Sequence, residues 1–249
     1  MDIIAILNQK GGVAKTTTTL ALGAALQNRG KRVLFVDLDP QRDLSKVVLA
    51  DLNKTSAYEV LTRKTKALPA IQETAQGHII PSSLSLAADG ILTATGKEYR
   101  LKEALEPLEG MYDYILLDCP PSLGVLSVNA LTAATGCIIP AQADVLSLEA
   151  LDTFYQTYEV IKRYTNPALK LMGVVITRYS GRSVLSRDMA DMIADKAEAL
   201  GTKVYKTKIR ECTALKEAQA VRESIYQYAP KSNAVKDYNS LIAEVIGEK

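Results

Sequence analysis

Ile3-Ile4-Ala5-Ile6-Leu7 runs straight into Asn8-Gln9-Lys10-Gly11-Gly12-Val13-Ala14-Lys15-Thr16-Thr17, and a helical pattern follows through Leu20, Leu22, Ala25 and Leu26 to a stop at Gly30. An apolar strand thus passes through a glycine-containing loop into a helix N-terminus. Without a Cβ, Gly11 and Gly12 let the backbone approach a phosphate closely, and the helix start adds unpaired N–H groups and the positive end of its dipole. Lys15 is placed to neutralise the β- and γ-phosphates of a nucleotide, and the Thr16 hydroxyl to complete a Mg²⁺ shell. The nucleotide-binding residues expected from this stretch are Gly11, Gly12, Val13, Ala14, Lys15, Thr16 and Thr17.

Further along, Arg32 to Val36 is a short apolar run of the kind buried on both faces of a parallel sheet, and it ends in Asp37-Leu38-Asp39-Pro40-Gln41. Ligands of open α/β sheets sit at the carboxyl ends of strands, so both carboxylates are directed towards the site. Residues 43–75 read as helical and polar-faced, Ile79-Ile80 as a strand leaving through Pro81-Ser82-Ser83, and 97–108 as an amphipathic helix. Tyr114 to Leu117 then leads to Asp118, whose carboxylate would hold Mg²⁺ through water, and Pro120-Pro121 forces the chain out of the strand. Strands at 136–140 and 171–177, a helix at 147–164 and a last helix with Val235, Tyr238, Leu241, Ile242 and Val245 on one stripe complete the alternation. The fold class is α/β, a P-loop NTPase with a mostly parallel sheet of about seven or eight strands and helices on both faces.

Composition narrows the function. The 249 residues fit a single domain, and a net charge of +2 leaves any affinity for an anionic polymer to a local patch. The absence of Trp and the presence of only two Phe argue against a stacking platform for single strands. Cys119, Cys137 and Cys212 are spaced for neither a disulfide framework nor a zinc site, so a reducing cytoplasm is the expected setting. The one histidine, His78, reads as a surface or strand-edge residue, and catalysis must proceed without it. Lys203, Lys206, Lys208, Arg210 and Lys216, set against Glu211 alone, form the conspicuous basic cluster.

Standard P-loop spacing, G-x-x-x-x-G-K-[ST], puts glycine before the lysine, where this chain has Ala14. Lys10-Gly-Gly-Val-Ala-Lys15-Thr, with a second lysine at the front of the loop, resembles the deviant Walker A motif of the ParA/MinD family of ATPases. Asp37-x-Asp39-Pro-Gln and Asp118-x-Pro-Pro resemble that family's next two motifs. Leu148-Glu149-Ala150-Leu151, Leu215-Lys216-Glu217-Ala218 and Tyr228-x-Pro-x-Ser232 extend the resemblance over essentially the whole chain, which is most like the ParA/Soj-type partition ATPases. Two departures stand out: Arg42-Asp43 replaces the usual Gly-Asn, and Ala214 replaces an arginine often found there.

The resemblance implies one ParA-type ATPase domain over residues 1–249 that hydrolyses ATP with Mg²⁺. Asp39 would orient the attacking water, Asp37 would support the metal shell held by Thr16 and Asp118, and Lys10 would reach across a two-fold interface to the partner's nucleotide. Arg182 matches a basic position that contributes to DNA binding in the family, and the missing arginine at 214 shifts further contacts to Lys206, Lys208, Arg210 or Lys216. Expected partners are non-specific double-stranded DNA, a ParB-like centromere-binding protein and a second copy in an ATP-dependent homodimer, in a cytoplasmic, nucleoid-associated setting. A chain opening on the P-loop strand has no room ahead of it for a helix-turn-helix domain, so operator-specific repression is not expected. A MinD-like positioning ATPase would need a basic amphipathic tail, which Gly247-Glu248-Lys249 does not provide, so no membrane partner is expected. A reductase like the nitrogenase iron protein would need cluster-holding cysteines, and a non-catalytic DNA-binding regulator would bind DNA regardless of ATP.

Overall fold

The computed structural model describes residues 1–88, 90 and 92–248, so Lys249 of the terminal tripeptide lies outside the described residues. Seven strands, β1 (Asp2–Ile6), β2 (Val33–Asp37), β3 (Gln72–Thr74), β4 (Gly77–Ile80), β5 (Tyr114–Asp118), β6 (Gly136–Gln142) and β7 (Lys170–Thr177), form one sheet in the order β3-β4-β2-β5-β1-β6-β7. Every pairing is parallel except the short β3–β4 hairpin at one edge. The helices are α1 (Lys15–Gln27), α2 (Asp43–Val47), α3 (Ala57–Leu61), α4 (Ala67–Ala70), α5 (Arg100–Leu105), α6 (Val125–Ala133), α7 (Val145–Tyr164), α8 (Val184–Ala199), α9 (Thr213–Ala220), α10 (Ile225–Tyr228) and α11 (Asn233–Ile246).

Period-two alternation along the central strands divides the core into two layers. Ala5, Val36, Leu117 and Ile139 face a layer built with α3 to α8, while Ile6, Phe35, Leu116 and Ile138 face one built with α1, α2 and α9 to α11. Burying each of the larger of these side chains contributes about 1.5–3 kcal/mol, which holds α1 and its loop on the sheet. Gly23 is what allows α1 to lie so close, since a Cβ there would come within 2.3 Å of the Phe35 ring. Register brings the carboxyl ends together: Ile6 pairs with Asp118, and Asp118 with Asp37.

Three expectations change. Residues 43–75 hold only the short helices α2, α3 and α4 before β3, because the chain turns out of the first two through left-handed residues at Leu49 and Arg63. The expected 97–108 helix is α-helical only over Arg100–Leu105, with a 3-10 turn on each side. His78 lies on β4, inside the β3 edge, and its Nδ1 is 2.7 Å from the Tyr112 hydroxyl. Beyond β7, residues 203–210 run alongside as an irregular outer edge: Val174 N donates to Lys203 O, Tyr205 N to Val174 O, and Ile209 N to Ile176 O. Among the described residues no helix is long and apolar enough to cross a membrane.

Candidate nucleotide-binding site

The loop between β1 and α1 is shaped by its own side chains. Asn8, buried, donates through Nδ2 to Pro140 O at 2.8 Å and accepts from Lys10 N at 2.9 Å, which starts the turn. Gly12 has φ 76°, and Ala14, the residue standing where the standard pattern has glycine, has φ 65° and ψ 35°. The missing glycine is therefore a left-handed position, and alanine occupies it at a cost of about 1 kcal/mol. Helix α1 begins at Lys15 with no side-chain cap and no acidic residue in its first turn. Its free N–H groups and dipole end face the loop, the arrangement that receives an anion.

Lys15 is buried and bends back so that Nζ donates to Lys10 O at 3.1 Å. Burial pulls its ammonium below the ordinary value, against the attraction of Asp118 and Asp39. Thr16 Oγ1 donates to Asp118 Oδ2 at 2.7 Å, and Thr19 Oγ1 lies 3.3 Å from the other oxygen. Asp37 and Asp118 are both buried on paired strands. Burial pushes the Asp118 carboxyl well above its ordinary range, with Asp37 adding to it, and pushes the Asp37 carboxyl up to about 7 against the hydrogen bonds from Ser45. Hydroxyl and carboxylate oxygens around a deficit of positive charge suit a hard cation such as Mg²⁺. Thr16 and Asp118 would hold it directly or through water, whereas both Asp37 oxygens already accept hydrogen bonds from Asp39 N, Ser45 N and Ser45 Oγ. Asp39 is half-buried, accepts from Gln41 N at 3.0 Å, and is raised by burial.

Lys10 points into its own chain. Its Nζ is ion-paired with Asp144 and lies 3.5 Å from Gln142 Oε1, while Gln142 Nε2 donates to Gly12 O at 3.0 Å. Asp144 also caps α7 by accepting from Ser147 N; burial pushes its carboxyl up, but these hydrogen bonds leave it below the ordinary value. On the other side of the loop, a cavity of about 240 Å³ opens between Gly12, Ala14, Thr17, Arg178, Cys212 and Gln219, and Gln219 Nε2 donates to Thr17 Oγ1 at 3.0 Å. It adjoins the phosphate loop and has room for part of a nucleoside. Cys119 is fully buried beside Asp118 and its thiol is pushed up by burial, so it is a packing residue.

The basic residues separate into different environments. Arg182 is exposed in the loop after β7, and Lys206 is exposed on the outer edge. Lys208 is half-buried with Nζ 4.5 Å from the Tyr179 ring centre. Lys216 and Arg178 stand 3.6 and 3.5 Å from Glu211. Arg210 is committed to Asp237, with Nε at 3.0 Å and Nη2 at 2.5 Å, so its guanidinium fixes the edge segment to α11. Gln142, Asp144, Ser45 and Ser82 had no sequence signal, being polar residues at strand exits and helix starts that mean something only once the strands are adjacent.

A parallel sheet with a phosphate loop after β1 and paired aspartates at the carboxyl ends of β2 and β5 defines a P-loop nucleotide-binding protein. An AAA domain model matches residues 1–171. The sporulation initiation inhibitor protein Soj of Bacillus subtilis is 38% identical over 250 residues, covering 98% of this chain and 97% of that one. The chromosome partitioning protein ParA of Caulobacter vibrioides is 37% identical, covering 100% and 95%. A crystal structure named cobyrinic acid a,c-diamide synthase from Mycobacterium smegmatis, with bound ADP and magnesium, superposes with a TM-score of 0.82 at 36% identity, covering 97% of this chain and 92% of that one. The chain belongs to the ParA/MinD family.

Proposed function

We propose that this chain is a DNA-partition ATPase whose ATP-bound form pairs with a second copy, holds duplex DNA without reading its sequence, and is released when a centromere-binding partner stimulates hydrolysis. ATP and Mg²⁺ are its ligands. The observation that carries the reading is one loop holding two lysines in different environments: Lys15 is buried with its Nζ on the Lys10 carbonyl, while Lys10 is ion-paired with Asp144 at the start of α7.

Loop amides from Gly11 to Thr17 and the Lys15 ammonium hold the phosphates, and Lys15 exchanges the Lys10 carbonyl for a phosphate oxygen. Thr16 and Asp118 would hold Mg²⁺, which would neutralise charge on the phosphates. Asp37 fixes the Asp39 backbone from beneath, and Asp39 orients the attacking water. Lys10 leaves Asp144 and reaches the partner's nucleotide, a contact that exists only when two loaded subunits face each other, so nucleotide state sets oligomeric state. DNA is held by Arg182, Lys206, Lys208 and Lys216, with Arg210 acting chiefly through Asp237 to position that edge. The protein then works in the cytoplasm on the nucleoid.

Binding to random duplex should require ATP, weaken steeply with salt as phosphate contacts release counterions, and fall on Arg182→Glu. Affinity indifferent to ATP would instead mark a non-catalytic DNA-binding regulator, and ATP-dependent capture by liposomes a MinD-like positioning ATPase. The relative named cobyrinic acid a,c-diamide synthase supports a second reading, ATP-dependent diamide synthesis; ATP turnover that required cobyrinic acid and left DNA unbound would favour it.

A further inference from the structure

We propose that Ser82, at the exit of β4, is a positioning residue for the hydrolytic loop and holds Asp39 in register through the Asp39 backbone carbonyl. The inference rests on the ATPase reading above and extends it to a residue 43 positions away in sequence. Ser82 Oγ donates to Asp39 O at 2.7 Å, and Ser82 N donates to Ser45 Oγ at 2.9 Å. Ser45 Oγ in turn donates to Asp37 Oδ2 at 2.6 Å, and Asp39 N donates to Asp37 Oδ1 at 3.0 Å. Asp37, Asp39, Ser82 and Ser45 therefore form a closed ring of hydrogen bonds, in which each serine hydroxyl donates once and the Ser45 hydroxyl also accepts once.

The ring is dry. Ser45, Ser82 and Asp37 are no more than 1% exposed, so its polar atoms have each other as partners and lose heavily if one is removed. The Asp39 carbonyl also accepts from Arg42 N at 2.9 Å, and Arg42 sits at φ 61°, a left-handed conformation that arginine adopts only when its surroundings impose it. The Ser82 hydroxyl thus ties the carbonyl side of a strained turn that carries the water-orienting carboxylate, while the Asp37 carboxyl ties its N–H side. β4 is well anchored to serve as the fixed end, because it pairs in parallel with β2, and Pro81 O accepts from Ala57 N at the start of α3. Ser82 does not touch the phosphate loop in any hydrogen bond, so it should set turnover without setting affinity.

The test compares Ser82→Ala, Ser82→Cys, Ser82→Thr and Ser83→Ala in steady-state MgATP hydrolysis, with affinity for a fluorescent ATP analogue and thermal midpoint measured alongside. Ser83 is the control, since among the described residues its hydroxyl accepts only from Ser85 N, away from the loop. Ser82→Ala should lower kcat about tenfold, the factor that about 1.4 kcal/mol of lost positioning produces, with analogue affinity within about twofold of the parent. Ser82→Thr, which keeps the hydroxyl, should recover most of that loss, Ser82→Cys should fall between, and Ser83→Ala should leave kcat unchanged. Should Ser82→Ala not fold, the cysteine variant carries the same comparison. A folded Ser82→Ala or Ser82→Cys protein with parental kcat overturns the proposal, as does an equal fall in kcat for Ser83→Ala. A parent protein that binds the analogue but never turns over MgATP removes the ATPase reading itself, a result that is distinct from either.

Discussion

Lys10 and Asp144 form an ion pair within one chain, 134 residues apart, with the ammonium also facing Gln142 Oε1. In the proposed cycle, the lysine that would reach the second copy is therefore parked at the start of α7 when the subunit is alone. Release costs little, because the two side chains are 19% and 38% exposed and such pairs contribute about 0.2–1 kcal/mol.

Lys10→Ala is expected to abolish ATP-dependent dimerisation while leaving the affinity of the monomer for ATP within a few-fold, as gel filtration and equilibrium nucleotide binding would report. Asp144→Asn keeps an acceptor for Ser147 N but removes the charge that parks Lys10. It should shift dimer formation to roughly two- to fivefold lower ATP, the range that ~0.5–1 kcal/mol allows. A variant that dimerised no more readily than the parent would show that the pair does not gate the lysine.

Asp39→Ala should give a persistent ATP dimer with turnover reduced by at least a hundredfold, a loss on the order of a positioned acid–base group. Parental hydrolysis rates would remove Asp39 from the mechanism.

Ala14 pays for a left-handed backbone at φ 65°. Ala14→Gly should raise the free energy of unfolding by about 0.5–1 kcal/mol, read from the denaturation midpoint at unchanged slope. An unchanged or lowered midpoint would mean that the loop does not strain alanine.

These glycine-pattern departures show how far the sequence could be read. Gly11, Gly12, Lys15, Thr16 and Asp118 were legible because their spacing follows a strand and a helix start, which local pattern encodes. The departures at 14 and 42 were visible too, but only the structure shows that both are left-handed positions where glycine would sit without strain. Ser82 and Asp144 were illegible for another reason. Each is an ordinary polar residue at the end or start of an element, and its partner is brought close only by the parallel crossovers β2–β4 and β1–β6. Arg210 carried the opposite lesson: charge composition counted it as free, and Asp237 on the last helix takes it up.

pH dependence follows from the buried carboxylates. Burial holds the Asp37 carboxyl up to about 7 in the folded state, with the acids Asp39 and Asp118 beside it and hydrogen bonds from Ser45 and Asp39 N working against the shift. A raised acid binds more protons folded than unfolded, so the contribution of this group to stability is fully present below the unfolded value near 4 and is lost as pH rises through about 7. The thermal midpoint of nucleotide-free protein in EDTA should therefore drop between about pH 5 and pH 7.5, and MgATP should reverse the drop. A midpoint that rose over that interval would contradict the assigned burial.

Sedimentation velocity of one preparation with MgADP, with MgATP, and with MgATP after Lys10→Ala tests the central claim, that the loop converts nucleotide state into oligomeric state. A monomer with MgADP, a dimer with MgATP and a monomer again for the variant is the expected pattern. A parent protein whose mass is the same with either nucleotide would contradict it.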